Sequence, residues 1–163
     1  MTESTLDIVV LGLSITSSWG NGHAVTYRAL VGALAERGHR VLFLERDVDR
    51  YASQRDLPAP PYCDVALYTS LDDLRDRFGE RVRQADVVIQ GSFVPDGRAV
   101  ADWVLTTARG AKAFYDIDTP VTIRALESDT CAPRACACSK PGRLRRADPL
   151  RRVGGSGRAL PPG

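Results

Sequence analysis

Between Ser14 and His23 the chain gathers four hydroxyl side chains, Ser14, Thr16, Ser17 and Ser18, then Trp19, then Gly20-Asn21-Gly22, and then the histidine. Ser17, Ser18, Trp19 and Asn21 offer hydrogen bonds and a stacking face. Gly20, Asn21 and Gly22 let backbone N–H groups approach a phosphate or sugar oxygen, and a helix starting at His23 adds the positive end of its dipole. His23 can act as a base or orient a substrate. A plain turn with a polar residue at the helix start would use the same residue types. A second group, Asp116 and Asp118 with Thr119 beside them, lies in YDIDTP. Alternate spacing puts both carboxylates on one face of an extended chain, where they can take a proton from a hydroxyl or hold a sugar hydroxyl. Capping the turn before Thr119 and Pro120 is their plainer role.

Other groups are weaker candidates. Ser92 and Asp96 stand after a strand, but Asp96-Gly97 is a common turn pair. Glu45 is placed like a ribose-binding acid at the end of a second strand, although Glu45, Arg46 and Asp47 read more simply as a solvated strand end. Gly20-Asn21-Gly22-His23-Ala24-Val25 matches only the first two glycines of the dinucleotide fingerprint, and the loop is about ten residues long where that fingerprint needs a tight turn.

The elements that must position these residues follow from hydropathy. Ile8 to Leu11 and Val41 to Leu44 are continuous apolar runs, as expected of strands buried on both faces. Between them Ala24, Tyr27, Leu30, Val31, Leu34 and Ala35 recur at helical spacing, with Gly38 where a C-cap glycine belongs. Pro58, Pro60 and Pro61 mark a connection to a third strand, Cys63 to Tyr68. Ser70 then caps a second helix, with Asp73 at the capping-box position. Asp86 to Gly91 is a fourth strand, AVADWVLTTARG a third helix ended by Gly110, and Lys112 to Tyr115 a fifth strand. This alternation predicts an α/β fold: a Rossmann-like doubly wound parallel sheet of about five strands, incomplete. Ligands of such sheets bind beyond the carboxyl ends of the strands. The loops Ser14 to His23, Ser92 to Gly97 and Asp116 to Thr122 must therefore converge.

The chain has 163 residues and a formal charge of +2, with 44% hydrophobic and 26% charged residues, the balance of one ordinary globular domain. The charge is unevenly spread. Residues 1–127 hold 14 Lys+Arg and 18 Asp+Glu, and residues 128–163 hold 8 and 2. The second segment has no aromatic residue and no apolar period, and is expected to be a disordered basic tail, its Arg, Pro and Gly content matching out-of-frame translation of a GC-rich gene. Cys131, Cys136 and Cys138 in it lack the spacing and the histidine of a zinc site, so no metal is expected. The polar N-terminus and the absence of a long apolar run predict a cytoplasmic protein with no membrane span.

The segments SSWGNGH, LERD and YDIDTP, taken in order, resemble the opening of GT-B glycosyltransferases, in which a polar glycine loop precedes a helix ending in Gly-His-x-Val, here Gly38-His39-Arg40-Val41. ADVVIQGSFVPDG and AFYDIDTP are similar to segments of bacterial glycosyltransferase-like proteins related to the CgeB spore-maturation group. The resemblance covers Leu6 to Leu126. It implies the acceptor-side domain, residues 1–127, of an enzyme that moves a sugar from a nucleotide-sugar donor to a small-molecule or glycan acceptor. It implies no cofactor beyond that co-substrate, and inactivity alone because the donor domain is missing. His23 and Asp118 would be catalytic, and Ser18, Trp19, Gly20, Asn21, Gly22, Asp116 and Thr119 would contact substrate. His39 would be structural, at the far edge of the sheet. The alternative is a stand-alone Rossmann-like nucleotide- or dinucleotide-binding module whose basic tail binds a partner. No nucleic acid is expected as a partner, and the oligomeric state is open.

Overall fold

The computed structural model describes residues 4–127. The expectations for residues 128–163, disorder and an out-of-frame origin, lie outside the described residues. The elements run β1 (Asp7–Gly12), α1 (His23–Glu36), β2 (Arg40–Arg46), α2 (Asp49–Ala52), β3 (Asp64–Tyr68), α3 (Leu71–Gln84), β4 (Val87–Gly91), α4 (Gly97–Thr107), β5 (Ala111–Tyr115) and α5 (Thr119–Glu127). All strand pairings are parallel and the order is β3-β2-β1-β4-β5, a five-stranded Rossmann-like sheet with flanking helices, as the alternation predicted.

The apolar runs are continuous because each inner strand has two covered faces. On one face Val9, Leu11, Leu42, Leu44 and Val88 pack with Leu74 and Val82 of α3 and Val100 and Val104 of α4. On the other, Ile8, Val10, Val41 and Phe43 pack with Tyr27 and Val31 of α1. Each such side chain removed from water contributes about 1.5–3 kcal/mol, so the sheet is held chiefly by this two-sided burial. Helix ends are set locally. Gly38 takes φ +83°, and the amides of Gly38 and His39 donate to the carbonyls of Ala35 at 2.8 Å and Leu34 at 3.1 Å, the paired bonds of a Schellman motif. Ser70 Oγ accepts from the Asp73 amide at 3.1 Å, capping α3.

Two helices were not foreseen, the single-turn α2 and α5. The latter starts at Thr119 where a turn was expected. Gly110 also has a different role from helix termination. Helix α4 ends three residues earlier, and a β-carbon on Gly110 would lie 2.3 Å from the carbonyl oxygens of Ala85 and Asp86. Its lack of a side chain lets β5 start against β4.

Candidate functional site

The strand order reverses at β1, since the chain proceeds outward through β2 and β3 on one side and then returns to place β4 and β5 on the other. At such a switch point the loops leaving the carboxyl ends of β1 and β4 part, opening a crevice. Helix α1 begins there. Tyr27, one turn into α1, lies across both strand ends, and only glycine is accommodated beneath it. A β-carbon on Gly12 would be 2.9 Å from the Tyr27 ring, and one on Gly91 would be 1.6 Å from its hydroxyl. The floor of the crevice is therefore an aromatic ring packed edge-on against Phe43, at 5.1 Å between centroids.

The loop after β1 turns inward. Ser14, Ile15, Thr16 and Ser17 are buried, and what holds them is Glu45. Its Oε2 accepts from the amides of Ile15 at 2.7 Å and Thr16 at 3.0 Å. Its Oε1 accepts from the hydroxyls of Thr16 at 2.6 Å and Ser14 at 3.2 Å. Glu45 is thus fully buried, not a solvated strand end, and both of its oxygens are engaged, so it cannot also read a ribose. Sequence reasoning missed this because an acid closing an apolar strand reads the same whether water or folded-back amides receive it.

Beyond Ser17 the loop is tied outward. The Ser18 amide and hydroxyl donate to Asp56 at 2.8 and 3.0 Å, and Arg28 of α1 grips the same carboxylate with two bonds of 2.9 Å. The Arg28 guanidinium and the Ser18 amide hold the Asp56 carboxyl well below the usual carboxylate range. Asn21 spans the turn: its Nδ2 donates to the Ser17 and Trp19 carbonyls, and its Oδ1 accepts from the Ala24 amide at 3.1 Å, capping α1. Gly20 sits at φ +63° and has open space around it, Gly22 is the N-cap residue, and Trp19 is half exposed.

His23, the first residue of α1, meets Phe93 of the β4–α4 loop edge-on at 5.1 Å, and its Nδ1 is buried without a hydrogen-bond partner. Burial lowers its pKa and the charge of Asp118 pulls it partly back. Asp118 is thus within electrostatic reach of His23, at the carboxyl ends of β5 and β1. Asp116 faces its own turn: its Oδ1 accepts from the Thr122 hydroxyl at 2.9 Å and the Asp118 amide at 3.2 Å, with Thr119 starting α5 between them. Ser92 Oγ accepts from the Ile117 amide at 3.1 Å, joining the β4 and β5 loops. On the far edge His39 Nδ1 accepts from the Leu6 amide at 3.4 Å. Among the described residues no group of three or more His, Cys, Asp or Glu could hold a metal ion, and no helix is long and apolar enough to cross a membrane.

No protein-family model and no curated protein matches the chain. Solved structures do. The DNA/pantothenate metabolism flavoprotein from Streptococcus pneumoniae is 17% identical with a TM-score of 0.33, over 53% of this chain and 38% of that one. The C-terminal domain of the coenzyme A biosynthesis bifunctional protein CoaBC is 10% identical with a TM-score of 0.46, over 77% of this chain and 71% of that one. This chain therefore spans well under half of the first and about seven tenths of the second. Identities and TM-scores of this size assign no family, ligand or activity.

Neither structure is named a GT-B glycosyltransferase, and the sequence reading is corrected accordingly. The residues that carried that resemblance have local duties instead: Gly38 and His39 close a helix, Glu45 of LERD pins a loop, and Asp116 of YDIDTP caps a turn. The glycosyltransferase reading is withdrawn, together with its donor, its acceptor and its missing half. So is the expectation that the chain takes no cofactor, which was an implication of that resemblance; the first of the two structures is named a flavoprotein.

Proposed function

We propose that the chain is a Rossmann-like module that binds a nucleotide or dinucleotide at the carboxyl ends of β1, β4 and β5. The observation that carries this reading is the reversal of strand order at β1, with the start of α1 facing the crevice it opens. His23 and Asp118 supply a neutral imidazole and a carboxylate at the mouth, Gly20 and Gly22 leave backbone amides approachable, and the exposed Trp19 offers a stacking face. Cytoplasmic residence belongs to the same reading, as does the lack of a nucleic-acid partner, which the excess of acidic over basic residues before residue 128 supports.

Thermal unfolding of the purified chain in the presence of NAD, NADP, FMN and FAD tests it. The expected result is a concentration-dependent rise in Tm with at least one of them, reduced in His23→Ala and Asp118→Ala. No rise with any of the four overturns the reading.

A further inference from the structure

Asp96 is the N-cap residue of helix α4, and it does not do what an aspartate at that position ordinarily does. Its side chain makes no capping bond to the first turn of α4. It turns away to form an ion pair with Arg46 at the end of β2. Its backbone sits at φ 56°, and Phe93 three residues earlier sits at φ 63°, so a short loop contains two non-glycine residues in the left-handed region. Such conformations cost on the order of 1–3 kcal/mol each and persist where the surroundings require them. The ion pair spans the carboxyl end of β1, because β2 and β4 are its two neighbours in the sheet.

Beside this pair is an unsatisfied group. Tyr68, at the end of β3, is 1% exposed, and its hydroxyl has no hydrogen-bond partner. It packs in the cluster that contains Val94 and Val100, on either side of Asp96 in the chain. Arg46 stands opposite Tyr68 in the β2–β3 register, and Arg46, Asp96 and the buried Glu45 are all within electrostatic reach of the hydroxyl. One guanidinium bonded to a carboxylate of the protein's own loop, one orphaned phenol beside that guanidinium in the β2–β3 register, and the start of an eleven-residue helix with no side-chain cap thus share one end of the sheet. Donors of this kind, fixed in this arrangement, are what a phosphate oxygen requires.

We infer that Arg46, Tyr68 and the first turn of α4 form an oxyanion site for a phosphate monoester, whose guanidinium Asp96 holds with its own carboxylate until a ligand phosphate displaces it. Asp96 is more than half exposed at its side chain, so on displacement it moves to water. Arg46, about one quarter exposed, stays to meet the incoming phosphate. The site flanks the crevice on the α4 side, and it rests on the nucleotide reading only for the identity of the molecule that carries the phosphate.

Inorganic phosphate is the probe. Thermal unfolding is followed against phosphate concentration, with sodium chloride matched in ionic strength as the control, in wild type, Asp96→Asn, Asp96→Asn/Arg46→Met and Asp96→Asn/Tyr68→Phe. Asn keeps the tolerance for φ 56° and removes the competing charge. The phosphate concentration needed for half the Tm rise should fall about tenfold in Asp96→Asn relative to wild type. It should return to the wild-type range or beyond in the Arg46→Met combination, and rise severalfold in the Tyr68→Phe combination, where no folding bond is lost. A phosphate response in Asp96→Asn no larger than the chloride response overturns the inference, as does one that survives Arg46→Met. Binding of a dinucleotide without a phosphate response overturns this inference alone. A phosphate response without any nucleotide binding overturns the nucleotide reading alone.

Discussion

Tyr27 and Gly91 are in mutual contact at the switch point: the Tyr27 hydroxyl occupies the space where a β-carbon on Gly91 would stand 1.6 Å away. The ring cannot retreat, since Phe43 and Tyr115 lie against it at 5.1 and 6.0 Å. Gly91→Ala should therefore destabilise the fold by about 2–3 kcal/mol, the cost of overpacking a filled core. Tyr27→Phe removes the hydroxyl that the added methyl would meet and should recover part of that loss. Urea denaturation of the two single variants and the double variant measures the coupling. Additive losses would place the strain elsewhere.

Glu45→Ala should cost about 3–5 kcal/mol, because it leaves two amides and two hydroxyls buried without their acceptor. Glu45→Gln keeps one oxygen and should lose less. Equilibrium unfolding checks both. Protection of the Ile15 and Thr16 amides against hydrogen exchange should fall in the same order.

The pKa of His23 is lowered chiefly by burial, so the folded chain binds that proton less readily than the unfolded one. The unfolded chain then carries more protons as pH falls below the ordinary histidine value of about 6.5, and stability declines through that window. Above it the contribution is fully present. Tm measured from pH 7.5 to 5 should drop less steeply in His23→Asn than in wild type. Parallel profiles would show that His23 is not responsible.

Cys63 is a free thiol, half buried, whose pKa burial and the neighbouring Asp64 push up to about 11. Only about one molecule in ten thousand carries the thiolate at pH 7, which is the reactive form. Peptide mapping after iodoacetamide treatment should find Cys63 unmodified in the folded chain at neutral pH and alkylated after denaturation.

Much of the architecture is legible in the sequence because two-sided burial leaves a plain trace. Val9 and Val10 face opposite layers and are both apolar, so the run is continuous and reads as an inner strand. Gly38 and Ser70 mark helix ends through backbone chemistry that is local to their own turns. The failures are of another kind. Helix α5 begins at Thr119-Pro120, a pair equally at home in a turn, and α2 is too short to show a period. Asn21 and Ser18 look like ligand donors in a polar loop, yet their partners, the Ala24 amide and Asp56, are assigned by how the chain folds back. Residue type reports the capacity to bond, and only the three-dimensional path reports with what.

Glu45 and Arg46 are adjacent in β2 and leave it on opposite faces, one toward the loop after β1 and the other toward the start of α4. In the native pairing Glu45 stands opposite Gly12. Sliding β2 by one residue against β1 would send the carboxylate toward Val94 and Tyr68 and the guanidinium among the amides of Ile15 and Thr16, exchanging every acceptor for a donor. The dipeptide thus acts as a key that fits one alignment only. At the exposed start of β2, Arg40 pairs with Asp7 across the register. Between Arg40 and these two residues lies VLFL, nearly interchangeable in hydropathy. The buried part of the register is therefore set at the last two positions, and substitutions there should favour misaligned, aggregation-prone forms before they affect any ligand.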